Sequence, residues 1–90
     1  MHTSTDTSVP AVSSVADGRA LLDDIDAQLR RLVGERRAIS KQVQQLRVEA
    51  GGSRVEHSRE NAIIRRWADE LGDGGVELAM SVLAYCRGRL

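Results

Sequence analysis

An uninterrupted apolar repeat constrains this chain more than any other feature. Between Gly18 and Ala50 there is no proline, and large aliphatic residues recur at steps of three and four, with one step of seven. This spacing places them on one face of a helix, close to the a and d positions of a heptad. The series is Leu22, Ile25, Leu29, Leu32, Ile39, Val43 and Leu46. The sequence therefore predicts one long helix that ends at Gly51 and Gly52.

Two shorter helices are predicted after this glycine pair. Ser53 and Glu56 fit a capping box for the second helix, although its start could equally be Ser58. Residues 72–75 form a glycine-rich turn, with Asp73 as a candidate cap of the third helix. The predicted apolar face of the second helix is Ile63, Ile64, Trp67 and Leu71, and that of the third is Val76, Met80, Leu83 and Leu90. No segment alternates as a strand would, so we expect an all-α fold.

The chain divides into a tail and one domain. Residues 1–17 are rich in Ser, Thr and small residues, contain Pro10 and lack periodicity, so they are predicted to be a flexible tail before a domain over 18–90. The N-terminus has neither the basic start nor the apolar block of a secretory signal. A single cysteine, Cys86, indicates a reducing, cytoplasmic compartment, and with only two histidines it argues against a zinc site.

Charge excludes further classes of protein. The chain has 13 Lys+Arg and 13 Asp+Glu, a balance that argues against nucleic-acid binding. No apolar run approaches the roughly 20 residues that cross a bilayer. Twelve of the 13 basic residues are arginine, which binds carboxylates and phosphates in a planar fork. A compositional bias toward arginine explains most of these residues. Functional arginines therefore have to be identified by their positions in the sequence.

The length of the first helix predicts a dimer. About 32 residues at roughly 1.5 Å each give a rod of about 48 Å, whereas a compact chain of about 73 residues has a radius of gyration near 11 Å. The other two helices are about half as long and cannot cover the whole apolar face. We therefore expect the face to meet a second copy in a two-fold homodimer. The alternative is a three-helix monomer whose first helix breaks near Gly34.

Charged residues occupy positions on the predicted apolar faces. Arg36 fills the step of seven, and Arg47 lies 11 residues further on, within about 20° of the same face. Glu60 is in phase with the apolar residues of the second helix, and Arg59 lies in its first turn, where a cation is disfavoured. These residues either form structural ion pairs or bind a small polyanion that carries hydroxyl groups. In the second case fixed charge and conformational restraint would do the catalysis, with no covalent step.

Other chemistry finds little support in the sequence. There is no supported Ser/His/Asp or Cys/His arrangement and no glycine-rich phosphate loop. One alternative is a non-catalytic dimeric interaction module, in which Arg36 and Arg47 pair with Asp24 or Asp26 of the other chain. Another is a small DNA-binding protein that uses two arginines on the outer face of the second helix, namely Arg65 and Arg66.

Several strings resemble those of a known enzyme family. They are Gly51 to Glu60 (GGSRVEHSRE), Ile25-Asp26 through Arg36, Ser40-Lys41, and Arg87 to Leu90. Over about residues 19–90 the chain resembles the all-α chorismate mutases, most closely the short actinobacterial type without a regulatory domain. The resemblance implies an intertwined homodimer of three-helix chains. It also implies the Claisen rearrangement of chorismate to prephenate, in aromatic amino-acid biosynthesis, with no cofactor.

The resemblance also implies roles for the inward-facing charged residues. Arg36 and Arg59 would bind the carboxylates of the substrate. Arg47 would lie beside the ether oxygen, where negative charge develops as the C–O bond breaks. Glu60 would accept a hydrogen bond from the ring hydroxyl.

Other implied roles fall on residues outside these faces. Ser53 and the backbone around Val55 and Glu56 would close the pocket, and Arg19 would reach into the site of the neighbouring protomer. Many family members have Asp at the position of Glu56, and many have a Gln on the third helix whose nearest match here is Arg87. If Arg87 does not reach the pocket, stabilisation of the ether oxygen depends on Arg47 alone.

The resemblance finally implies a protein partner. The short subclass is typically a poor catalyst alone and is activated in a non-covalent complex with 3-deoxy-heptulosonate-7-phosphate (DAHP) synthase. By analogy, the loop from Gly51 to Ser58 and the C-terminal residues Arg87 to Leu90 would be remodelled in such a complex.

Overall fold

Three α-helices make up the fold. The computed structural model describes residues 9–88, which form α1 (Val15–Glu49), α2 (His57–Leu71) and α3 (Asp73–Arg87). No strand occurs within residues 9–88, so the all-α prediction is confirmed. None of the three helices combines the length and apolar character that a membrane span requires.

Helix α1 is continuous over 35 residues and is not broken at Gly34. It begins three residues earlier than predicted, because the Ser14 side chain accepts a hydrogen bond from the Asp17 backbone N–H and caps the first turn. The last three residues of the predicted tail are therefore helical. At the other end Gly51 has a positive φ of 87°, and the Gly52 N–H donates to the Arg47 carbonyl at 2.8 Å. The prediction that the glycine pair ends this helix is confirmed.

The single chain leaves the apolar face of α1 uncovered. Helices α2 and α3 have 15 residues each, less than half the length of α1. The molecule measures 55 × 29 × 19 Å, with a radius of gyration of 16.5 Å, against about 12 Å for a compact chain of this size. All seven residues of the α1 apolar face are exposed: Leu22, Ile25, Leu29, Leu32, Ile39, Val43 and Leu46. The length argument is confirmed for the single chain, and the dimer stays a prediction.

Helices α2 and α3 pack closely through small residues. Gly72 has a φ of 80° and turns the chain between them. Gly75 lies against the backbone of Trp67, where a Cβ atom would overlap the carbonyl group. The buried residues of α3 are Gly75, Ala79, Leu83 and Cys86. Of the predicted apolar face of the third helix, Leu83 is buried and Val76 is partly buried, whereas Met80 is exposed because close contact selects small side chains.

The predicted caps of the two short helices were wrong, whereas the alternative start of the second helix at Ser58 is one residue from the observed start. Helix α2 begins at His57, and Glu56 at the N-cap position makes no side-chain capping hydrogen bond. Ser53 does not cap this helix, because its Oγ donates to the Val55 carbonyl at 2.7 Å. Asp73 is the first residue of α3 rather than its cap, which is Gly72. Leu90 and Arg89 lie outside the described residues, as do residues 1–8 of the predicted tail.

Candidate functional site

A cavity of about 240 Å³ lies between the C-terminal half of α1, the connection to α2, the start of α2 and the end of α3. Its wall carries five arginines and two glutamates. The polar lining residues are Arg36, Ser40, Gln44, Arg47, Arg54, Glu56, Arg59, Glu60 and Arg87. The apolar lining residues are Ile39, Val43, Val55, Ile63 and Leu83. The structure therefore brings seven of the nine predicted site residues to one cavity.

Helix α1 supplies one wall because its polar residues recur with the helical period. Arg36, Ser40 and Arg47 follow one another at steps of four and seven residues, and Val43 lies between them. Such steps return to the same face of an α-helix. The prediction that Arg36 and Arg47 share a face is confirmed. Lys41 is exposed and does not line the cavity, in agreement with its position off this face.

Arg47 is held by the connection between α1 and α2. Its Nη1 lies 3.1 Å from a carboxylate oxygen of Glu56, and its Nε donates to the Ser53 carbonyl at 3.0 Å. The side chains of the pair are 34% and 47% exposed, so the pair adds little to stability. Its effect is geometric, because two contacts on one guanidinium fix the direction in which the group points. The interaction-module alternative put Arg47 against an aspartate of another chain, whereas it pairs within its own.

Arg87 reaches the cavity from the end of α3. Its Nε donates to a carboxylate oxygen of Glu60 at 2.9 Å, and the two side chains are 23% and 18% exposed. Glu60 was predicted to face the interior, and the structure confirms this. The ion pair places a second guanidinium in the same cavity as Arg47, so positive charge lines two walls.

Arg36 and Arg59 differ from these paired arginines. Arg36 is half-buried and Arg59 is exposed, and neither forms an ion pair with any residue between 9 and 88. Both also line a more open groove next to the cavity, together with Arg66 and Trp67. Because both cavity glutamates are already paired with arginines, the charge of Arg36 and Arg59 is available for an anion.

Two predicted site residues lie apart from the cavity lining. Arg19 is exposed on α1, 17 residues before Arg36, which is about 25 Å along the helix axis. This distance keeps it from the cavity of its own chain. Ser53 does not line the cavity either, but its carbonyl accepts the hydrogen bond from Arg47 and so shapes the wall indirectly.

Sequence reasoning gave no site role to three polar residues of the wall, Ser40, Gln44 and Arg54, although Ser40 lies in one of the strings that carry the resemblance. Gln44 lies eight residues after Arg36 on α1, so the helical period could have identified it. Arg54 lies in the connection between α1 and α2, where no periodic signal exists. Both donate hydrogen bonds to the main-chain carbonyl of Arg87, at 3.2 and 2.9 Å.

The exposed arginines of α2 do not form a basic surface of their own. Arg66 lies 3.8 Å from Glu70 one turn further along the helix. Such i, i+4 pairs are typical of a solvated helix face. Arg65 and Arg66 therefore give the DNA-binding alternative no support.

The arrangement suits a small dianion and restrains its shape. Cations lie on α1, α2 and α3, so carboxylates at different points of one ligand would each meet a guanidinium. Apolar side chains separate the cations, and on contact with a ligand they would displace water and strengthen each charge interaction. Such a cavity can select one conformer of a flexible ligand and stabilise negative charge that develops in it.

Comparisons with known proteins agree with this arrangement. The family model described as chorismate mutase type II matches residues 18–82. The chain is 39% identical over 82 residues, or 91% of its length, to the intracellular chorismate mutases of Mycolicibacterium smegmatis and Mycobacterium tuberculosis, covering 79% and 74% of those proteins.

A solved structure gives the same result at the level of the fold. It is the non-covalent complex of DAHP synthase and chorismate mutase from Corynebacterium glutamicum with a bound transition-state analogue. The likeness has a TM-score of 0.80 at 33% identity, and covers 84% of this chain and 92% of that one. With an all-α fold, an arginine-lined cavity and a family match over most of its length, this chain belongs to the chorismate mutase type II family.

Proposed function

We propose that this protein is a chorismate mutase, an isomerase that rearranges chorismate to prephenate in aromatic amino-acid biosynthesis. The observation that carries the proposal is the cavity in which Arg36 and Arg59 lack acidic partners within the described chain, beside the paired carboxylate of Glu60. The reaction suits such a site. One C–O bond breaks and one C–C bond forms in a single cyclic step, so no nucleophile, proton transfer or cofactor is needed.

The arginines of the cavity have two different roles in this reaction. Arg36 and Arg59 bind the two carboxylates and hold the substrate in the folded conformer that brings the reacting carbons together. Arg47 on α1 and Arg87 on α3 stabilise the negative charge that develops on the ether oxygen as its bond to carbon breaks. Glu60 accepts a hydrogen bond from the ring hydroxyl. The main chain at Val55 and Glu56 closes the cavity next to Arg47.

The functional unit is a homodimer in this proposal. The exposed aliphatic face of α1 is covered by a second copy, whose own α1 runs alongside. Arg19 is too far from its own cavity to reach it, and in an intertwined pair it enters the cavity of the neighbouring protomer. The site would then gain a further cation from the second chain.

We extend the proposal to a protein partner and a compartment. The similar mutase of Corynebacterium glutamicum is found in a non-covalent complex with DAHP synthase, and we expect the same enzyme to bind and activate this chain. The surfaces that change are residues 51–58 and the end of α3, which carry Glu56 and Arg87. The similar mycobacterial proteins are named intracellular, and we expect this one in the cytoplasm.

The decisive experiment follows the loss of chorismate absorbance with purified full-length protein, alone and with DAHP synthase of the same organism. Formation of prephenate is verified by separating it chromatographically from its isomer chorismate. We expect slow conversion alone and a rise in kcat/KM of at least about tenfold with the synthase. No conversion in either condition contradicts the enzymatic function, whereas conversion without a rise contradicts only the partner.

A further inference from the structure

The carbonyl oxygen of Arg87, the last residue of α3, is a meeting point of three segments of the cavity wall. It accepts a hydrogen bond from Gln44 Nε2 on α1 at 3.2 Å and one from Arg54 Nη1 in the connection between α1 and α2 at 2.9 Å. The final carbonyls of a helix have no donor within the helix. The carbonyl of Ala84, one turn before the end of the helix, accepts a hydrogen bond from the Gly88 N–H at 3.0 Å. We call this contact of Gln44 and Arg54 with the Arg87 carbonyl the helix-end junction.

The helix-end junction joins the segments that carry the two ion pairs of the cavity. The connection that carries Arg54 also carries Glu56, the carboxylate that orients Arg47. The residue whose carbonyl is bound is itself the partner of Glu60. A shift of the connection or of the α3 end would therefore misdirect one guanidinium or both. Arg54 adds a charge-assisted hydrogen bond at the negative end of the α3 dipole, which favours this arrangement over a loose helix end.

We propose that Arg54 and Gln44 are positioning residues for the two catalytic guanidinium groups. By donating to the Arg87 carbonyl, they hold the end of α3 and the connection against α1. They thereby set the side chain of Arg87 toward Glu60, and Glu56 toward Arg47. The catalytic part of this inference rests on the proposed function, while the junction itself can be tested without any activity.

The kinetic test uses Arg54→Ala, Gln44→Met and the double variant in the full chain with its synthase. Gln44→Met keeps the length of the side chain and removes the donor. Each single variant is expected to lower kcat about tenfold, as for loss of a hydrogen bond that orients a charged group, with KM changed less than about threefold. Arg54→Lys keeps a charged donor and should recover kcat to within about threefold. Arg65→Ala, an exposed arginine of α2 outside the cavity, is the matched control and should match the parent.

The double variant separates positioning from direct contact with substrate. Two residues that act through one carbonyl should be coupled, so the double variant should differ by at least about threefold from the product of the single effects. Independent effects that multiply would mean that each residue acts on the substrate by itself, and would overturn the proposal.

Amide hydrogen exchange tests the junction in the absence of substrate. In Arg54→Ala we expect exchange at Gly88 and Gly52 to accelerate at least about tenfold, because the α3 end and the connection lose their common contact. Exchange at Ile64, in the middle of α2, should stay as in the parent. Unchanged exchange at Gly88 overturns the proposal whatever the kinetics. Accelerated exchange in a protein without mutase activity would instead contradict the proposed function and retain the junction.

Discussion

The two halves of α1 carry the same periodic pattern and meet different surroundings. In the half after Arg36, polar residues of the helix find partners within the chain, as Gln44 does at the Arg87 carbonyl and Arg47 does at Glu56. The half before it contributes no residue to the cavity. Its large aliphatic residues Leu22, Ile25, Leu29 and Leu32 are exposed, as are those of the other half. The chain thus assembles its charged cavity by itself and leaves its apolar face exposed.

This difference separates what should control activity from what should control assembly. Full burial of each large aliphatic side chain is worth about 1.5–3 kcal/mol, so the exposed aliphatic residues in both halves of α1 can supply free energy of association. The Arg47–Glu56 pair is too exposed to stabilise the fold much, yet it orients a guanidinium in the cavity. Substitution of an aliphatic residue before Arg36 should therefore change association and spare the cavity, whereas substitution of Arg47 should change activity and spare association.

The largest effect is expected from Leu29→Glu. A carboxylate on the apolar face would be buried twice in a two-fold interface without a partner, which is costly. We expect the dimer to weaken by at least about 10³-fold, or about 4 kcal/mol, measured by sedimentation equilibrium. Gln28→Glu introduces the same residue one position away, off the apolar face, and should leave association within about threefold. Equal masses for the two variants across the concentration range would contradict the two-fold interface.

The next largest effect is expected from a substitution in the half of α1 after Arg36. Arg47→Ala should lower kcat by about 10² or more, because a donor aimed at developing charge is lost, and the dimer should stay intact. Lys41→Ala, an exposed residue outside the cavity, serves as the control for losing a cation on α1. Activity and sedimentation should be measured on the same samples. Melting or dissociation without a specific loss of kcat would make Arg47 a structural residue and remove the distinction between the halves.

Two neighbouring glycines of α3 test the close packing of α3 against α2, which positions the part of the cavity that these helices form. Gly75→Ala would push a methyl group into the Trp67 carbonyl and part α2 from α3, at a cost of about 1–3 kcal/mol. Gly74→Ala has open space around the new methyl group and should be neutral or stabilise by up to about 1 kcal/mol. Urea unfolding of both variants measures the difference. Equal destabilisation would show that helix propensity at this end of α3, and not close packing, decides stability.

The sequence predicted the pattern of helices better than the contacts between them. The period of α1 identified its uncovered face and the common side of Arg36 and Arg47, because both follow from helical geometry alone. The capping box at Ser53 was wrong because its hydroxyl donates to the Val55 carbonyl instead, although the sequence pattern fits such a box. The packed face of α3 depends on how closely two helices approach, and the spacing of apolar residues alone pointed to Met80.

The site was predicted to the same extent and for the same reason. Residues fixed by helical phase, such as Arg36 and Glu60, were found from the pattern, and the resemblance supplied the connection around Glu56. Arg54 escaped because its role depends on where the end of α3 comes to lie, 33 residues further along the chain. That Arg87 enters the cavity likewise required the tertiary structure, since only the fold places it beside Glu60.

The smallest effect is expected from a substitution at the first turn of α1, at the end remote from the cavity. Ser14→Ala removes the oxygen that accepts from the Asp17 N–H and should cost about 1 kcal/mol of stability, with kcat of the assembled enzyme unchanged. Ser13→Ala removes only an exposed hydrogen bond to the Asp17 carboxylate and should cost less than about 0.5 kcal/mol. Thermal unfolding and activity assays on both variants measure the two quantities. Arg19 lies only five residues beyond the cap. A fall in kcat with Ser14→Ala would therefore mean that the start of α1 shapes a cavity. The division of roles between the two halves of α1 would then fail.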